Sequence, residues 1–88
     1  MISGDKFYNG LRALHHILVM TRQMAYDEAS HTEMADVLDI AEYLPRLLAD
    51  EKDRTTEFRA NLLDLSQRWP QFARAVDYFD EPSPPRPW

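Results

Sequence analysis

Glu33, Asp36, Asp39 and Glu42 place a carboxylate at every third position of one short stretch. On a helix of 3.6 residues per turn that spacing winds them in a shallow spiral along the face away from Val37, Leu38 and Leu44. Carboxylates so placed can converge on one divalent cation, and Mg²⁺, which takes oxygen ligands, is the cofactor they would hold. The plainer reading is a solvated polar face whose negative charge is favoured near a helix N-terminus. We expect the solvated face and keep the metal site as its alternative.

The other reactive side chains support less chemistry. His15 and His16 are adjacent, so on a helix they point about 100° apart and cannot chelate one metal together. One of them is expected at the edge of the core and the other in solvent, with His31 in the first turn of a later helix. Ser3, Ser30, Ser66 and Ser83 fall at caps, on a polar face or in the tail, and neither a Gly-x-Ser-x-Gly elbow nor a glycine-rich phosphate loop occurs. The di-iron bundle signature, Glu-x-x-His on each of two paired helices, is missing too. Cysteine is absent, which excludes disulfides, thiolate metal sites and thiol nucleophiles. No catalytic constellation results.

Glu33-x-x-Asp36 and Asp39-x-x-Glu42 resemble half of the acidic motif of all-α nucleotide pyrophosphohydrolases of the MazG kind. The resemblance implies a second acidic pair on a neighbouring helix and a Mg²⁺-dependent hydrolase. The next segment offers Glu57, Asn61 and Asp64, whose four-then-three spacing departs from that motif. Residues His31 to Ile40 superficially resemble the first helix and turn of a helix-turn-helix reader. The segment that follows, Ala41-Glu42-Tyr43-Leu44-Pro45, puts an acidic residue where phosphate contacts are wanted and a proline inside the helix.

Charge excludes more than composition does. The net charge is −5, and Asp27, Glu28, Glu33, Asp36, Asp39 and Glu42 fall between residues 23 and 45 with no basic residue among them. Such a stretch repels phosphate backbones and attracts basic protein surfaces, so the expected partner is a basic protein and not a nucleic acid. The longest apolar run is Ile17-Leu18-Val19-Met20. No membrane span or export signal is predicted, and a cytoplasmic setting is expected.

These side chains need helices to position them. Glycine occurs only at Gly4 and Gly10, and strand-like alternation is missing, whereas helical periodicity recurs four times. Phe7, Leu11, Leu14, Leu18 and Ala25 form one stripe, widened by Ile17, Met20 and Met24, which predicts a helix over residues 4–28 with Ser3 as its cap. A helix of that length spans about 37 Å, against about 31 Å for a compact sphere of this chain, so one end is expected to project and invite a second copy. Ser30-His31-Thr32-Glu33 reads as a capping box opening a second helix over 31–48, with Pro45 kinking or interrupting it. Asp53 or Thr55 then caps a third helix over 55–69, with Phe58, Leu62, Leu65 and Trp69 inward. Pro70 begins a short fourth helix over 70–80 with Phe72, Val76 and Phe79. The tail, residues 81–88, is proline-rich and expected to be extended unless Trp88 docks.

Tyr8, Tyr26, Tyr43 and Tyr78 lie off or at the edge of these stripes, and tyrosine is enriched at protein interfaces, so they are the candidate interaction residues. Residues 42–72, from Glu-Tyr-Leu-Pro-Arg-Leu-Leu to Arg-Trp-Pro-Gln-Phe, resemble a stretch of small all-α bacterial proteins, some carried on mobile gene cassettes such as those of integrons. That resemblance implies a bacterial source and transfers no functional residue. The expectation is one all-α domain over residues 1–80, a bundle of three main helices with a short fourth. It would act as a non-enzymatic interaction module and dimerise through its first helix.

Overall fold

The computed structural model describes residues 4–82, and Ser3 and the tail from Ser83 to Trp88 lie outside the described residues. Four α-helices follow one another: α1 (Gly4–Tyr26), α2 (His31–Ala49), α3 (Thr55–Arg68) and α4 (Ala73–Asp80), the last entered through a 3₁₀ turn at Pro70–Phe72. No strand occurs among the described residues.

Local chemistry accounts for the breaks between helices. Glu28 takes a positive φ of 59°, and Ala29 donates its amide to the Met24 carbonyl at 2.9 Å while Glu28 donates to Ala25 at 3.3 Å. This pair of bonds closes α1 two residues before the expected end, with glutamate in the left-handed position that glycine usually fills. Ser30 then caps α2, its hydroxyl accepting the Glu33 amide at 3.1 Å. Asp53 accepts both the amide and the hydroxyl of Thr55 at the start of α3.

Pro45 neither ends nor divides α2, which runs unbroken to Ala49. Proline forfeits one backbone hydrogen bond, but continuing the helix buries Leu44, Leu47 and Leu48. At the other proline, Trp69 turns extended and Pro70 opens the 3₁₀ turn that the expected continuous fourth helix lacks. This turn seats Phe72 in the core, where Phe58, Phe79, Leu62, Leu65 and Ile17 join it with no exposed surface. The Phe58 and Phe79 rings lie 4.7 Å apart, joining α3 to α4.

The first helix departs most from expectation. Its buried side is Asn9, Gly10, Ala13, Ile17, Thr21 and Met24, whereas Phe7, Leu11 and Leu18 of the expected inward stripe are exposed. Space explains the choice. A Cβ on Gly10 would stand 2.6 Å from Leu48 Cδ2, so small residues let α1 lie against α2 as no leucine there could. Of the two buried polar side chains, Thr21 donates to the Ile17 carbonyl at 2.7 Å and Asn9 Nδ2 donates to the carbonyls of Phe79 and Glu81 at 3.3 and 2.9 Å, while Asn9 Oδ1 is buried without a partner among the described residues. Because its buried residues run from Asn9 to Met24, α1 does not project; it lies along a molecule measuring 37 × 25 × 20 Å.

Candidate functional site

The carboxylates of α2 are dispersed among arginines. Asp36 lies 3.7 Å from Arg68, which also holds Asp64 at 3.4 Å and so ties α2 to α3. Asp39 and Glu42 flank a shallow hollow shared with Tyr43 and Arg46. Glu33 stands exposed in the first turn. The residues expected to complete a metal site are engaged elsewhere: Glu57 pairs with Arg54, and Asn61 donates to the Glu57 carbonyl. Among the described residues no three Asp, Glu or His side chains gather closely enough to hold a metal ion. Leu38, expected on the inward side of α2, is exposed beside this acidic face.

Arg54 is the hub at the α2–α3 connection. Its guanidinium binds Asp50 at 2.6 Å, binds Glu57, and reaches Tyr43 Oη at 3.4 Å. The Glu57 carboxyl is held below its usual range by Arg54, and that of Asp50 is lowered first by the Lys52 amide it accepts and then by Arg54. One turn further along α3, Arg59 binds Asp80 at the end of α4 through two nitrogens and lowers its carboxyl in the same way. These arrangements fasten helix ends and carry no chemistry of their own.

The four tyrosines do not form one surface. Tyr26 is 73% exposed near the end of α1, and Tyr43 stands on α2 beside Arg54. Tyr8 and Tyr78 come together around Arg12, whose guanidinium lies 5.9 Å and 4.6 Å from their ring centres and also binds Glu81. Next to them a groove of about 460 Å³ runs between α1 and α4, lined by Leu11, Arg12, His15, His16, Val19 and Tyr78. As expected of the histidine pair, His16 sits at the core edge, hydrogen-bonded to the Gln71 carbonyl at 3.2 Å, and His15 faces solvent.

No family model, curated protein or solved structure matches this chain. Any function must therefore be argued from its own surface. The most unusual part of that surface is the outward side of α1, where Phe7, Leu11, Leu18, Val19 and Tyr26 are between 41% and 73% exposed. A helix of a small globule ordinarily turns one apolar stripe inward and polar residues outward. Here both sides are apolar, and no acidic residue occurs between Lys6 and Tyr26. The run Ile17-Leu18-Val19-Met20, which covers every side of a helix, signals this double face in the sequence.

Proposed function

We propose that the protein is a non-enzymatic protein-interaction module that works as a homodimer joined through the outward face of α1. The observation that carries the reading is the row of exposed apolar side chains along nearly the whole of α1. Several exposed apolar side chains gathered on one helix face ordinarily mark an association surface. With α1 covered by a second copy, the acidic face of α2, with Leu38 and Tyr43 exposed beside it, is the surface offered to a basic protein partner.

Light scattering at tens of micromolar tests the reading. The expected mass is twice the 10.4 kDa of one chain. Leu18→Glu, which changes a side chain 58% exposed and outside the core, is expected to return the monomer mass with the helical circular dichroism preserved. A wild-type monomer at that concentration excludes the proposal.

A further inference from the structure

The outward face of α1 also specifies how a second copy must lie on it, an inference that rests on the dimer proposed above. Gly4, Tyr8, Leu11, His15, Leu18, Arg22 and Ala25 alternate in steps of four and three, the spacing of a coiled-coil seam. All of them are exposed except Tyr8, which is half-buried, and none belongs to the core. His15 stands at the middle of this ladder. Reversed end for end, the ladder becomes its own complement: Gly4 meets Ala25, Tyr8 meets Arg22, Leu11 meets Leu18, and His15 meets His15.

We infer that two copies pack their α1 helices antiparallel about a two-fold axis passing at His15. Packed this way, the arginine meets an aromatic ring, a favourable cation–π arrangement, and the leucines meet leucines. The smallest residues meet at both ends, where they let the helices close. The parallel alternative sets Arg22 against Arg22 at one level of the seam and aligns the two helix dipoles, both unfavourable. Antiparallel packing also brings Asp27 and Glu28, beyond a last turn that carries no basic residue, beside the partially positive N-terminal end of the opposing helix. A two-fold contact of this kind uses the same patch on both copies and closes at the dimer.

The chain contains no cysteine, so single cysteines introduced on this exposed face report the geometry without interference. In the antiparallel seam residues 11 and 18 of opposite copies face each other. Two copies of residue 11 are then separated by about 10 Å along the axis, too far for a disulfide. The inference expects His15→Cys to form a disulfide-linked dimer on mild oxidation, Leu11→Cys and Leu18→Cys each to remain unlinked alone, and an equimolar mixture of those two to link. Self-linking of both Leu11→Cys and Leu18→Cys would show a parallel dimer and overturn the orientation while leaving the dimer standing. A protein found dimeric by light scattering in which neither His15→Cys nor the mixture links overturns it as well. A monomer by light scattering, with no linking, removes the dimer and the orientation together.

Discussion

Asn9 shows how a single polar residue can decide which side of a helix faces inward. It is 1% exposed, and its amide donates to the carbonyls of Phe79 and Glu81, which α4 leaves without intrahelical partners. Lys6 Nζ donates to the same Phe79 carbonyl at 2.7 Å, so the start of α1 caps the end of α4. Asn9→Ala removes both amide bonds, leaving the Phe79 carbonyl to Lys6 alone and the half-buried Glu81 carbonyl without this donor. It is expected to cost about 1–3 kcal/mol in urea denaturation. Glu28 predicts the opposite sign. Held at φ 59°, it occupies a conformation that costs an L-residue about 1–2 kcal/mol and glycine almost nothing. Glu28→Gly recovers part of that after glycine's larger loss of chain entropy, so a stabilisation of about 0.5–1 kcal/mol is expected by the same measurement.

Among the helices, legibility followed the number of apolar faces. The stripe Phe58, Leu62, Leu65 could only point one way because most of the rest of α3 is polar, and those three residues are fully buried. The Ser30 cap marked the start of α2 for an equally local reason. In α1 the leucines lie on the wrong side of an argument about size: leucines advertise burial, yet glycine and alanine won the core because α2 comes too close. Nothing local in the sequence announces that approach, since Leu48 is 38 positions from Gly10. The acidic spiral of α2 was legible as a pattern, but its pairing with Arg68 depends on where α3 lies. The bond from Arg59 to Asp80 has the same long-range character and a pH signature. Asp80 titrates below its ordinary value of 3.8 in the folded protein, so its contribution is present above that pH and lost as pH falls through the lowered folded-state range. Both partners are more than a third exposed, which limits the contribution to about 1 kcal/mol or less after solvent screening. Asp80→Asn is expected to lower stability at pH 7 by that amount. The deficit should vanish in melts at pH values below the lowered folded-state range of Asp80, once the wild-type carboxyl is protonated as well.

For the molecule as a whole, the metal reading and the interaction reading differ in what should bind the folded state and therefore stabilise it. Anything that binds the native form and not the unfolded chain raises the melting temperature by mass action. The carboxylates of α2 stand apart or against arginines, and no group among the described residues is assembled for a cation. Millimolar Mg²⁺ or Mn²⁺ is therefore expected to leave the melting temperature unchanged. A second copy of the chain is itself a ligand of the native state. Each tenfold rise in protein concentration adds about 1.4 kcal/mol to the folded dimer. For a two-chain unit of this size that corresponds to roughly 3–6 °C. One set of thermal melts, varying metal at fixed protein and then protein at fixed metal, separates the two. A shift with metal would restore the hydrolase alternative built on Glu33, Asp36, Asp39 and Glu42. A melting temperature that stays constant across two decades of protein concentration would leave the outward face of α1 without the partner its apolar side chains require. Leu18→Glu supplies the internal control, because it removes the seam, keeps the core, and is expected to melt at one temperature whatever its concentration.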